Sequence, residues 1–312
     1  MSDVPEAEKP KEPIEYKRTR NPKLDLFVFG ARPVIRWVGG KTSILDQLLQ
    51  WVPSEISGTY YEPFIGAGAL FWCLAGHGII KKAVIADLNV SLITMYKEIK
   101  KDPDELLRRV LEYKNDKALY DAEVKIFNQE RADGILDTAA HAARFYFLNR
   151  VGFNGLFRTR LDGGYNTPYA GFSGKKRNGD LNYVKVVADQ DIFKRASAAL
   201  QIADILCCDF EQTVSGAVPG DFCYFDPPYI PLKITSFVQY NSTDFTMKDQ
   251  IRLRDLALRL KSKGIDVLLS NSSAGASRDL YSAFDTRVIT AFRHVNSKVE
   301  DRDKPVKELL AR

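Results

Sequence analysis

The 312-residue sequence has little cysteine and no arrangement that would put it to use. Its four cysteines, Cys73, Cys207, Cys208 and Cys223, form no CxxC pair, and two adjacent cysteines do not supply ordinary zinc-finger geometry. Reduced buried thiols are expected, with neither a disulfide framework nor a metal site. No apolar run approaches the roughly 18 residues that span a bilayer, and no apolar leader follows Met1. A cytosolic chain with no membrane partner is therefore expected. No internal repeat is visible. An excess of one charge is scarce as well: 45 Lys+Arg stand against 40 Asp+Glu, and the net +5 is too small to name a partner. What is present is a hydrophobic fraction of 45% with a mean hydropathy of -0.24, which excludes disordered and collagen-like chains. At about 150 residues per domain, the length allows one large domain or two ordinary ones.

Short apolar runs alternate with helical stretches. TYYEPF (59–64), AVIA (83–86), IADILC (202–207), FCYF (222–225) and IDVLLS (265–270) predict strands, and most lie between helical patterns, as in the βαβ units of a mostly parallel sheet. A helix is predicted from Thr246, an N-cap with Asp249 three residues on, through Leu253, Leu256, Ala257 and Leu260 to Gly264 as C-cap. The middle of the chain differs. From Pro103 to about Val151 helix follows helix, and residues 154–180 are rich in Gly, Asn and Arg. So long an irregular stretch is uncommon unless it is functional or disordered. The expected organisation is a polar tail over residues 1–31, an α/β core from 32–102 and 186–312, and an inserted module over 103–185.

Two segments carry chemistry. In EPFIGAGAL (62–70), Gly66 and Gly68 form a Gly-x-Gly turn between a strand and a helix, where the missing Cβ lets a ligand approach the backbone. By itself this is as readily a tight βα connection. Asp87, in ADLN about twenty residues on, adds a carboxylate at the end of the second strand, placed to accept hydrogen bonds from both hydroxyls of a ribose. Together they predict a nucleoside-containing cofactor. Leu70 and Phe71 follow instead of a third glycine, which disfavours a dinucleotide pyrophosphate. The second segment, Asp226-Pro227-Pro228-Tyr229, follows FCYF and so sits at the C-terminal edge of the sheet. Its prolines remove N–H donors, leaving a carboxylate and carbonyls that only accept. A planar amine could give one hydrogen to Asp226 and one to the Pro227 carbonyl while Tyr229 stacks on its ring. A proline-rich turn capped by Asp is the plain alternative.

In order along the chain, RWVGGK (36–41), EPFIGAGAL, ADLN, LNRVGFNGLFR (148–158), CDF (208–210) and YFDPPYIPL (224–232) resemble the motifs of the Dam-type (alpha-class, D12) DNA adenine-N6 methyltransferases. The resemblance runs from about Pro33 to Leu310 and includes LSNSS (269–273) and KELL (307–310). It implies a Rossmann-like S-adenosylmethionine-dependent sheet with an inserted helical target-recognition module. It also implies direct methyl transfer to adenine N6, without a metal, in the cytoplasm of a prokaryote or from a phage. By resemblance, Trp37 and Lys41 hold the methionine end of the cofactor. Glu62, Phe64, Gly66 and Gly68 form the loop beneath it, Asp87 takes the ribose, and Asp209 and Phe210 take the adenine. Asp226, Pro227, Pro228 and Tyr229 receive the target base, with Asp226 also bordering the cofactor. Phe64 and Phe210 could equally be core aromatics. No Pro-Cys nucleophile follows the glycine loop, which argues against cytosine-C5 chemistry. The competing readings are methylation of RNA or of a protein amide, and a DNA-binding protein with a dead site.

Duplex DNA is the expected partner, with a cognate restriction endonuclease as a further one and a monomer or weak dimer as the working state. Residues 140–185 carry eight Lys/Arg against two acids, a surplus of six in a chain of net charge +5. Arg150, Asn154, Arg158, Arg160, Asn166, Lys175, Lys176 and Arg177 are the expected DNA contacts. Lysines there would meet phosphates, while Arg and Asn can read base edges. A solvated basic loop is the bland alternative. TRLDGGY (159–165) departs from the family between Arg158 and Asn166, so GATC is only the default target.

Overall fold

A computed structural model describes residues 31–175, 181–183, 189–230, 245–292 and 305–312. Strands β1 (Tyr60–Glu62), β2 (Ala83–Ala86), β3 (Phe172–Lys175), β4 (Leu181–Tyr183), β5 (Ala203–Leu206), β6 (Phe222–Phe225), β7 (Asp266–Ser272), β8 (Thr286–Phe292) and β9 (Pro305–Ala311) form two sheets. The larger has the order β5-β2-β1-β6-β7-β9-β8. Its first five strands run parallel, and β9 enters antiparallel between β7 and β8. The chain is thus a mixed α/β protein with a Rossmann-like sheet of seven strands. The five expected strands all form, each within a residue or two of its apolar run.

Alternation along the strands divides the core. Tyr60, Phe222, Tyr224 and Leu268 belong to one apolar cluster, whereas Tyr61, Cys223, Phe225, Val267 and Leu269 belong to the other. Burial on both faces explains why FCYF is apolar throughout. The first cluster continues without a break into the helices Pro103–Glu112, Lys117–Asp133 and Ala139–Val151, through Leu106, Phe127, Phe145 and Phe147. These helices start where short polar residues cap them: Asp102, Asp116 and Thr138 each accept from a first-turn N–H. Helix Met247–Ser262 has the expected capping box of Thr246 and Asp249, and Gly264 follows it with φ +78°.

The C-terminal half holds elements that local pattern did not suggest. Strands β8 and β9 complete the sheet edge, and β3 pairs antiparallel with β4 inside the Gly- and Lys-rich stretch. Among the described residues, no helix is long and apolar enough to cross a membrane.

Candidate active site

One cavity of about 1280 Å³ opens at the C-terminal ends of β1, β2 and β6. Trp37, Lys41, Glu62, Phe64, Gly66, Gly68, Asp87, Asp209, Phe210, Asp226, Pro227, Pro228 and Tyr229 all line it, so the fold gathers every expected cofactor and catalytic position around one space. Ends of parallel strands make such crevices because the chain turns away to helices on either side.

The glycine turn needs its glycines. Gly66 and Gly68 have φ of +43° and +70°, and a Cβ on Gly66 would lie 2.7 Å from Cδ1 of the Trp37 ring. Its bare backbone N–H donates to Asp87 Oδ2 at 3.2 Å, and Asn89 N donates to Oδ1 at 2.9 Å. Burial pushes the Asp87 carboxyl above its ordinary range, and these backbone donors pull the other way. Glu62 is buried and accepts from Tyr60 Oη at 2.8 Å. Burial pushes its carboxyl up to about 8, with the Tyr60 hydrogen bond opposing and the charge of Asp226 adding to the rise. Phe64 and Phe210 stack on one another at 5.6 Å with Phe245 edge-on to Phe64, so the two rings form a single aromatic wall. Asp209 caps the short helix Phe210–Thr213 and pairs with Arg252 at 3.0 Å.

Lys41 lines the cavity beside the proline turn. Its ammonium lies 2.7 Å from Asp226 Oδ2 and donates to the Gly39 carbonyl at 2.6 Å, 4.8 Å from the centre of the Tyr229 ring. A lysine only 5% exposed needs a counter-charge for its ammonium, and among the described residues the Asp226 carboxylate pairs with it. The rest of the proline turn is strapped down. Gln250 Nε2 donates to the Pro228 carbonyl at 2.7 Å, Asn271 Oδ1 accepts from Ile230 N at 3.0 Å, and Tyr229 Oη donates to Glu308 at 2.8 Å. Ser270 Oγ donates to Asp226 Oδ1 at 2.6 Å. Ser270 and Glu308, within LSNSS and KELL, carry no local sign of these contacts, because nothing local says which strand of a sheet lies beside which.

The basic segment lies against this cavity but only partly in it. Arg160 lines the cavity and pairs with Asp162 at 3.1 Å, and Arg158 is exposed. Asn154 adopts φ +56°, and its Nδ2 is buried without a partner; Arg150 Nε and Asn166 Oδ1 are likewise buried and unpartnered. Asn149 is fully engaged instead, donating to the Arg36 and Gly155 carbonyls and accepting from Arg36 N. Lys175 ends β3, while Lys176 and Arg177 lie outside the described residues. Arg131 and Phe157 also line the cavity, and Phe157 stacks on Trp37 at 6.2 Å. No motif marked either of them.

Comparison with known proteins places the chain among DNA methyltransferases. The model of a family described as D12 class N6 adenine-specific DNA methyltransferase matches residues 37–295. A type II methyltransferase, M1.LlaDCHI of Lactococcus lactis subsp. cremoris, is 37% identical over 88% of this chain and 92% of its own. The type II methyltransferase M.MjaIII of Methanocaldococcus jannaschii is 33% identical over 89% and 98%, and a DNA adenine methylase of Vibrio cholerae is 31% identical over 90% and 95%.

Proposed function

Because the chain belongs to the D12 class N6 adenine-specific DNA methyltransferases, we propose that its cavity receives S-adenosylmethionine and an adenine flipped out of duplex DNA, by default the adenine of GATC. The observation that carries this is the meeting of Asp226 and Tyr229 with the glycine turn and Asp87 in one cavity. The residues present fit a nucleoside bearing an amino-acid end. Gly66 leaves bare backbone, Asp87 retains acceptor capacity for ribose hydroxyls, Phe64 and Phe210 offer aromatic surface, and Lys41 supplies a cation. When bound, S-adenosylmethionine supplies an electrophilic methyl group on a sulfonium.

The chain's own residues prepare the nucleophile. Asp226 and the Pro227 carbonyl accept the two N6 hydrogens, which raises electron density on the nitrogen, while Tyr229 stacks on the purine. The Pro228 carbonyl accepts from Gln250 Nε2, which helps to hold the turn in place. Flipping the base costs a few kcal/mol, offset by contacts elsewhere. The segment from Arg150 through Asn154, Arg158, Arg160 and Asn166 to Lys175, Lys176 and Arg177 is proposed to make those contacts, within an inserted module over 103–185 set in the core of 32–102 and 186–312. Lysines would hold phosphates there, and the Arg and Asn side chains would read base edges.

The enzyme would act in the cytoplasm as a monomer or weak dimer. Two relatives named as type II methyltransferases favour a companion restriction endonuclease. Transfer of labelled methyl from S-adenosylmethionine to duplex DNA, RNA and protein side by side tests the assignment. Label in N6-methyladenine of duplex DNA alone is expected; label in RNA or protein, or none with intact cofactor binding, overturns it. Duplexes with and without GATC settle the target.

A further inference from the structure

Asp226 can accept the target amine only if its carboxylate is turned toward it, and a carboxylate at the end of a strand is otherwise free to rotate about χ1 and χ2. Something must fix it. Ser270 lies in β7, fully buried, beside the residues of β6 that lead into Asp226. Its hydroxyl has a single proton, and that proton goes to Asp226 Oδ1 at 2.6 Å. The contact of 3.1 Å between Tyr224 Oη and Ser270 Oγ must then run the other way, with Tyr224 donating. Tyr224 is itself buried, and burial keeps its phenol protonated by raising it well above its ordinary range. Three groups therefore form a one-directional chain from the Tyr224 hydroxyl to the Ser270 hydroxyl to Asp226 Oδ1.

This chain leaves Oδ2 as the oxygen on the side of Lys41. Ser270 has a single side-chain torsion to its oxygen, is fully buried and has the Tyr224 hydroxyl against that oxygen, so it has less freedom to follow the carboxylate than a long side chain would. We infer that Ser270, backed by Tyr224, is the positioning residue of the reaction, pinning Oδ1 so that Oδ2, which also accepts from Lys41, presents its other lone pair to the adenine amine. The inference rests on the proposed role of Asp226 as acceptor for that amine.

Single-turnover methylation of duplex DNA by the full chain, with saturating S-adenosylmethionine, reads the rate constant separately from the active fraction, which sets only the amplitude. Ser270→Ala is expected to lower the rate constant by about 10- to 100-fold, as misplacement of a reacting group does. The dissociation constants for DNA and cofactor should stay within a few-fold of wild type. Tyr224→Phe should lower the same constant by a smaller factor, and Ser270→Thr, which keeps the hydroxyl, should recover most of the loss. A Ser270→Ala rate constant equal to that of wild type, or a loss confined to amplitude in both Ser270→Ala and Tyr224→Phe, overturns the inference. Asp226→Ala in the same assay separates the two levels. If it is inactive while Ser270→Ala is fully active, only the positioning role fails; if it is active, the proposed acceptor role fails with it.

Discussion

The proline turn at Asp226 and the basic segment around Asn154 treat polar groups in opposite ways. At the turn, Asp226 is held by Lys41 and Ser270, the Pro228 carbonyl by Gln250, Ile230 N by Asn271 and the Tyr229 hydroxyl by Glu308. Among the described residues, the buried side-chain atoms without a partner are Arg131 Nε, Arg150 Nε, Asn154 Nδ2 and Asn166 Oδ1, all within or beside the basic segment. A buried polar group left without any partner costs about 1–3 kcal/mol, so these four atoms are where a water or a bound partner would be most favourably received. Chemistry needs groups already fixed where the transition state requires them. Recognition of a large polar partner needs groups that the protein has not satisfied by itself.

The contrast is most exposed at Asp226. Asp226→Ala should reduce methylation by at least about 100-fold, the scale for losing one fixed electrostatic contact to a transition state. Cofactor affinity measured by calorimetry should change little, and a variant that methylates normally would remove the catalytic half of the comparison. At Asn154, whose φ of +56° glycine also adopts readily, Asn154→Gly should preserve folding. It should lower affinity for the target duplex, relative to an unrelated one, by about 1–3 kcal/mol if the side chain reads a base. Equal affinities in wild type and variant would show that the unpaired amide serves no reading.

Glu62 sharpens the comparison through pH. Its carboxyl is raised from 4.5 to about 8, so between those values the folded chain holds a proton that the unfolded chain has released. Stability from this group is complete below about pH 4.5, falls by about 1.4 kcal/mol per pH unit, and is spent above about pH 8. Denaturant titrations of Glu62→Gln should lack that slope; an unchanged slope would assign it elsewhere. The smallest effect is expected at Lys175. Lys175→Ala should weaken binding to all duplexes alike and reduce the logarithmic salt slope by about 1, as loss of one phosphate contact does. A change in sequence preference instead would make it a reader.

Much of the sheet was legible because its central strands are buried on both faces and so are written as apolar runs: AVIA and FCYF are strands from first residue to last. β8 and β9 were not. Glu308 and Lys307 interrupt the apolar pattern of β9, which is held in place by pairing on both sides with distant strands. The β3–β4 hairpin hides in a stretch whose Gly, Asn and Lys content reads as irregular. In the cavity, Gly66, Asp87 and Asp226 announced themselves through turn chemistry and acceptor chemistry. Ser270, Arg131 and Phe157 carry no local mark.

The sequence by itself determined which chemical groups the cavity could contain, because the glycine turn, the acidic strand end and the Asp-Pro-Pro-Tyr segment each follow a strand whose end faces the same edge. The tertiary structure alone decided how those groups pair. Lys41 meets Asp226 rather than standing free, and Ser270, 44 residues beyond Asp226, becomes its hydrogen-bond donor. Strand order and register set those distances, and they arise from burial of two sheet faces at once, a property of the whole chain that no local window contains.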